Sequence, residues 1–370
     1  MNKVQTDLFG LLRLALWGRK TDAGEMSSVD WDAVYKLAME QCVTGLVADS
    51  FGLLGESELK GLDKLRWLGY VIQLERKNGE LNDLVVKLFG KFQSMGLTPV
   101  LMKGQAFAAN YPVSLHRQCG DIDVCFRCHD DCERAVAWAV KVDRAAAMSA
   151  DNRRERKHFT FSVGGNVVEL HYFMCLFENG RLQRRLQEII GWEFGHSEPL
   201  FVEIDGKRIE TVPPTLSVLH QILHITRHLL EAGIGLRQIC DLAVYLDRNH
   251  ETVDVERLNG YLEELQLMDT AKALGYVMVE HLGLHPDFVP FGTDGKYAGF
   301  ILQEVFEGGN FGRKKVAYRN GENGVRRKLL SIVYFYHRCR LYRHLLPMES
   351  KSYFLNKIKL NIRLLTVRHC

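Results

Sequence analysis

The chain has 370 residues, with 48 Lys+Arg against 45 Asp+Glu for a formal net charge of +3, 46% hydrophobic and 25% charged residues, and 8 Pro. These proportions exclude collagen, low-complexity disorder and a small disulfide scaffold, and the length suffices for two or three domains with a full core. No apolar run approaches the ~18–20 residues needed to cross a bilayer, and the 9 Cys show no paired spacing, so the expectation is a soluble protein with reduced thiols in a cytoplasm. The apolar patch Leu8 to Trp17 is preceded by Asp7 and interrupted by Arg13, which suits a helix better than a signal peptide.

From Asp7 to Gln93 the apolar residues recur at three-four spacing, through Trp31, Val34, Leu37 and Ala38 and again through Leu68, Ile72, Leu81, Leu84, Val85, Leu88 and Phe92. This predicts about four N-terminal helices over 1–95, with Ser27 and Ser28 as caps near the second. At Gly96 the rhythm changes. Thr98 to Met102 reads as a short strand ended by Lys103-Gly104, followed by a helix over Gln105–Asn110 and a turn at Tyr111-Pro112. Gly120 to Phe126 alternates polar with apolar, which predicts a strand carrying Asp121, Asp123 and Cys125 on one face. A helix is expected over Asp130–Val142, then a hairpin of Phe159–Val163 and Val167–His171 around Gly164-Gly165-Asn166, with Glu169 and His171 on one face. Strands or loops are expected as far as Pro214, including a second pair around Asp205-Gly206. From Thr215 the helical rhythm returns, and no internal repeat interrupts it. The expected architecture is α+β: a helical region 1–95, a small α/β core 96–212, a helical domain 213–312 and a basic helical segment 313–370.

The chemistry gathers in the core. Asp121 and Asp123, two apart on a strand, place like charges side by side, a conflict that a divalent cation such as Mg2+ or Mn2+ resolves by taking carboxylate and phosphate oxygens together. The Lys103-Gly104 turn leads into a helix, where backbone N–H groups can face a phosphate. Glu169 adds a third acid from a later strand, giving a two-metal phosphoryl-transfer pattern. Arg117, four residues before Asp121, can meet a phosphate through its planar fork.

The run Leu101-Met102-Lys103-Gly104-Gln105-Ala106, then Tyr111-Pro112, Arg117, Gly120-Asp121-Ile122-Asp123-Val124 and Val168-Glu169-Leu170-His171 resembles the uncharacterised nucleotidyltransferase family of the DNA polymerase beta superfamily, over about Trp31 to Leu246. The resemblance implies a mixed sheet with flanking helices and transfer of a nucleoside monophosphate from NTP to a hydroxyl acceptor. It also implies that Asp121, Asp123 and Glu169 hold the metals, and that Lys103, Gly104, Gln105, Arg117 and Gly120 line the triphosphate site. Gln105 stands where the superfamily's turn carries a small residue. Two further readings stay open: a toxin-like enzyme acting on tRNA, and a catalytically silent nucleotide-binding or interaction protein.

Other clusters read more plainly. His220, His224 and His228 share one helix face; without the Glu of a His-Glu-x-x-His motif they fit a packing or hydrogen-bonding face better than zinc. Arg237 and Asp241, also four apart, are expected to pair or to brace the core. Cys119, Cys125, Cys128 and Cys132 fit no zinc pattern, although alternation lets Cys125 flank the acids. The run Arg153 to His158 is a candidate anion rim or a solvated face. Residues 313–370 hold 15 Lys+Arg against Glu322 and Glu349, whereas residues 1–312 hold 33 against 43. Near-neutrality is therefore an acidic body joined to a basic end. That end, interleaved with Tyr334, Phe335, Tyr336, Tyr342 and Tyr353, can pack on the body, meet a polyanion such as RNA, or lie on an anionic membrane.

Overall fold

The structure, a computed structural model, describes residues 1–18, 29–148, 157–309 and 324–366. Helices α1 (Lys3–Trp17), α2 (Trp31–Gln41) and α3 (Thr44–Asp49) precede the long α4 (Lys64–Ser94). Asp30 caps α2 by accepting from the Ala33 N–H at 3.0 Å, satisfying an orphan donor of the first turn. The cap expected at Ser27 or Ser28 falls outside the described residues.

Strand β1 (Pro99–Leu101) runs into the short α5 (Gln105–Ala108). It is followed by β2 (Ile122–Phe126), α6 (His129–Val142), α7 (Arg144–Met148), β3 (His158–Val163) and β4 (Asn166–His171). The hairpin turn is tighter than expected: Gly164 and Gly165, both at positive φ, make a two-residue connection, and Asn166 already belongs to β4. Helix α8 (Gly180–His196) then occupies a stretch for which the sequence pattern predicts strands or loops. Leu182, Leu186, Ile189 and Glu193 are its buried stripe and Asn179 its cap. Gly180, Gly191 and Gly195 dilute the propensity; tertiary burial of the stripe decides the conformation.

Strands β5 (Leu200–Ile204) and β6 (Lys207–Thr211) complete a mixed six-stranded sheet in the order β3-β4-β2-β1-β6-β5. The β2/β4 and β1/β6 pairs are parallel and the others antiparallel. One face, with Leu101, Ile122, Val124, Phe161, Val168 and Leu170, packs against α4 and α6. The other face turns towards the helices that follow: α9 (Pro214–Glu231), α10 (Leu236–Asn249), α11 (Val255–Glu264), α12 (Met268–Glu280), α13 (Ala298–Gly308), α14 (Gly324–Tyr342) and α15 (Pro347–Thr366). The fold is therefore the expected α+β class with a mixed sheet and flanking helices.

The helices before and after the sheet share one core, which joins Phe9, Leu12 and Val47 to Leu236, Leu274, Val305 and Tyr342. Polar contacts reinforce it. Gln41 donates from Nε2 to the Val305 carbonyl at 3.1 Å and accepts at Oε1 from the Leu236 N–H at 2.9 Å, while the Trp17 indole donates to the Leu282 carbonyl at 2.6 Å.

The described residues of the basic end fold back on the body. Arg338 pairs with Glu304, and Glu349 accepts from the backbone N–H groups of Glu178 (2.8 Å) and Asn179 (2.9 Å). Arg227 approaches the same carboxylate at 3.5 Å, and Tyr342 and Tyr353 are buried. No helix among the described residues is long and apolar enough to cross a membrane.

Candidate active site

The site is built on the edge between β2 and β4. Their parallel register sets Asp123 opposite Glu169, flanked by the pairs Ile122–Val168 and Val124–Leu170. Since neighbouring side chains alternate, those apolar pairs enter the core while the two carboxylates emerge together on the other face. Asp121 precedes the first residue of β2 and completes a trio whose oxygens lie within 4.8 Å of one another. Strand β1 delivers Lys103: the Met102 N–H donates to the Asp123 carbonyl at 3.0 Å, and the Lys103 ammonium reaches Asp123 Oδ1 at 2.7 Å. Gly104 has φ 61°, and a Cβ there would meet the Asp121 carbonyl oxygen at 3.3 Å. Glycine is thus required both for the backbone angle and for the closeness of the turn to the acidic loop.

His171, on the same face of β4 as Glu169, places Nε2 at 2.8 Å from Asp123 Oδ1 and 3.3 Å from Glu169 Oε2. His158, its cross-strand partner on β3, places Nε2 at 3.4 Å from Glu169 Oε1. Charge is unevenly distributed over the acids. Burial would raise the Asp123 carboxyl, but Lys103 and His171 outweigh it and hold it well below the usual carboxylate range. Asp121 is pushed upward by the Asp123 charge and by burial. Lys103 lies above its ordinary value because Asp123, Asp121 and Glu169 overcome the opposing effect of burial. A like-charge conflict at Asp121, beside convergent carboxylate oxygens, fits a hard divalent cation such as Mg2+ or Mn2+.

The acids, Lys103, Gly104 and Gly120 line a cavity whose far wall comes from α9 and α10. His220, Gln221, His224 and His228 contribute to it, so the histidine stripe read from the sequence as a packing face looks across the cavity at the carboxylates. Among the described residues neither ring nitrogen of His220 and neither amide atom of Gln221 has a hydrogen-bond partner, although both side chains are buried. Burial, then the charges of Lys103 and Lys157, push the His220 imidazole down to about 3. It is therefore a neutral polar group near the acids. The four-residue histidine spacing was the available signal for this wall; only the tertiary structure shows what it faces.

The remaining candidate residues divide between the cavity wall and the bracing around it. Arg117 lines the cavity, but its fork is engaged by Asp241: Nε donates to Oδ1 at 3.0 Å and Nη2 to Oδ2 at 2.6 Å, with the Tyr111 hydroxyl donating to Oδ1 at 2.8 Å. Asp241 thus pairs with Arg117 rather than with Arg237, whose Nη1 donates to the Gln118 carbonyl at 2.7 Å. Both arginines fasten the loop that delivers Gly120 and Asp121. Asn78 adds bonds to the carbonyls of Leu115 (2.6 Å) and Arg117 (2.9 Å), and His116 is gripped by Asp49 and Glu75. Gln105 is buried outside the cavity lining, its amide without a partner among the described residues. Cys125 shares the acid face but is buried in the helical core. Of the basic run before β3, Lys157 and His158 line the cavity, and residues 153–156 lie outside the described residues.

Paired acids at the start of one strand, a third acid in register on the next and a Lys-Gly turn beside them thus meet at one place on the mixed sheet. The profile described as "Uncharacterised nucleotidyltransferase" matches residues 27–283, and the chain belongs to that family. Among solved structures, the chain is similar to an antigenic nucleotidyltransferase-like protein from Paracoccidioides brasiliensis, at 12% identity and a TM-score of 0.30, covering 57% of this chain and 92% of that one. A search of curated proteins finds no match.

Proposed function

We propose that the protein is a metal-dependent nucleotidyltransferase that moves a nucleoside monophosphate from an NTP to an acceptor hydroxyl and releases pyrophosphate. The observation that carries this reading is the in-register pairing of Asp123 with Glu169, with Asp121 completing three convergent carboxylates. Asp121, Asp123 and Glu169 would hold Mg2+ or Mn2+, which when bound neutralises triphosphate charge and orients the reacting phosphate. Lys103 and the backbone at Gly104 and Gly120 seat the triphosphate from one side of the cavity. Arg117 positions the loop through Asp241. An oxygen–phosphorus bond forms between the acceptor oxygen and the α-phosphorus as the bond from that phosphorus to the bridging oxygen breaks. Pyrophosphate leaves with the electron pair, and the acceptor proton passes to Glu169.

The test incubates the full chain with each α-labelled NTP, Mg2+ or Mn2+, and a cell extract as the source of acceptor. Label incorporated with release of pyrophosphate, and abolished by Asp121→Ala with Asp123→Ala, is expected. Absence of transfer, or transfer that survives both substitutions, overturns the proposal. The basic end is the feature that favours an RNA acceptor, and Arg338 of that end is committed to the body. Salt-dependent tRNA binding at low ionic strength would restore that version.

A further inference from the structure

We propose that His158, Glu169 and His171 form a second metal position, joined to the carboxylate trio through Glu169, which takes a first-row transition-metal dication such as Zn2+ in preference to Mg2+. One ligand atom from each of the three residues lies within 4.8 Å of the others, and the sheet places them there by register. His158 and His171 are directly opposite on the antiparallel β3/β4 pair, and Glu169 stands two residues before His171 on the same face. The rings are 5.1 Å apart between centroids.

The contact lengths suit a shared ion. Two ligands bound at ~2.0–2.1 Å with a tetrahedral angle lie about 3.3 Å from one another. His171 Nε2 is 3.3 Å from Glu169 Oε2, and His158 Nε2 is 3.4 Å from Glu169 Oε1. The two carboxylate oxygens thus face different imidazoles, so a dication drawn between them takes both rings and one bidentate carboxylate. Nitrogen donors favour zinc and its neighbours, whereas Mg2+ demands oxygen and retains water.

Exposure is graded in the same sense. The His171 side chain is fully enclosed, while those of His158 and Glu169 are 19% and 17% exposed and line the cavity. Three protein ligands with one open side towards a substrate cavity is the pattern of a catalytic rather than a structural zinc site. With the carboxylate trio occupied as well, Glu169 would bridge two unlike metals. The oxygen-rich position would suit the triphosphate, and the nitrogen-containing one would suit acidification of an acceptor hydroxyl, whose proton would then pass to solvent because metal engages both Glu169 oxygens.

The experiment measures binding of Zn2+, Mn2+ and Mg2+ alone to the metal-stripped full chain, without nucleotide, by calorimetry and equilibrium dialysis. Asp121→Asn, His158→Ala and His158→Gln are compared with the unaltered chain, and circular dichroism verifies folding. His158→Ala is expected to weaken Zn2+ binding by about tenfold or more while leaving Mg2+ within about twofold, and Asp121→Asn to do the reverse. Pulsed EPR of the protein loaded with one equivalent of Cu2+, an imidazole-seeking first-row dication, should show imidazole nitrogen couplings that diminish in His158→Ala. Zn2+ affinity unchanged by both His158 substitutions, equal losses for Zn2+ and Mg2+, or no nitrogen coupling would each overturn the proposal and leave His171 as a hydrogen-bond donor that orients Asp123 and Glu169. The inference shares Glu169 with the proposed transferase site but is read without NTP. Failure of nucleotide transfer therefore leaves it standing, and its own failure leaves the transferase proposal intact.

Discussion

Replacing Asp241 by Ala should destabilise the protein out of proportion to the size of the change. Its carboxylate takes two N–H bonds from Arg117, at 3.0 and 2.6 Å, and one from the Tyr111 hydroxyl, and both charged residues are at most 5% exposed. Removing one partner leaves a buried guanidinium without its counter-charge, which costs about 3–5 kcal/mol. Replacing both, as Arg117→Met with Asp241→Leu, removes the uncompensated charge and should cost well under the sum of the single changes, because a packed apolar pair can substitute for a buried ion pair. Urea denaturation of the two single variants, the double variant and the unaltered chain gives the coupling energy directly. Asp241→Ala should also lower nucleotide transfer, since the loop that presents Asp121 is tied to α10 through this pair. If Arg117→Met left stability unchanged while weakening NTP binding, the bracing argument would be refuted and Arg117 would belong with the phosphate ligands.

The neutral histidine wall should make the fold acid-sensitive. His220 is held down to about 3 against roughly 6.5 when unfolded, so the unfolded chain binds the extra proton between those values. Stability should therefore fall as pH drops below about 6.5, by about 2 kcal/mol for this one imidazole at pH 5. Urea midpoints measured from pH 5 to 7.5 should show a shallower pH dependence in His220→Phe, and an unchanged slope would contradict the assignment. Gly45→Ala should destabilise by about 1–3 kcal/mol or more, since a Cβ would lie 2.3 Å from the His116 carbonyl oxygen and 2.6 Å from Leu74 Cδ2. Thermal denaturation with no loss would show that the loop shifts freely. Glu349→Ala removes the acceptor of two backbone N–H bonds, worth about 1.5–3 kcal/mol each when charged. Limited proteolysis should then cut the α14–α15 segment faster, and equal protection would mean that apolar packing alone holds it.

The candidate acids were legible because strand alternation is a local property: once Gly120 to Phe126 is read as a strand, Asp121 and Asp123 must share a face. Glu169 was legible on its own strand for the same reason. Its position opposite Asp123 was not, because register between β2 and β4 is set by how the intervening α6 and β3 pack. Helix α8 was missed although Leu182, Leu186 and Ile189 mark its buried stripe. Local propensity there is diluted by glycine, and burial supplies the missing preference.

By itself, the sequence determined the order of helical and extended segments apart from α8, the Lys103-Gly104 turn and the strand faces that carry the three acids, all features governed by neighbours within a few residues. The tertiary structure decided what those groups face. It turned Arg117 towards Asp241, 124 positions away, set a neutral histidine wall opposite the carboxylates, joined His158 to His171 across a hairpin, and docked Arg338 and Glu349 of the basic end on the body. Each of these depends on long-range packing that brings distant charges into a shared low-dielectric space, where an ionisable group is tolerated only with a partner or in its neutral form.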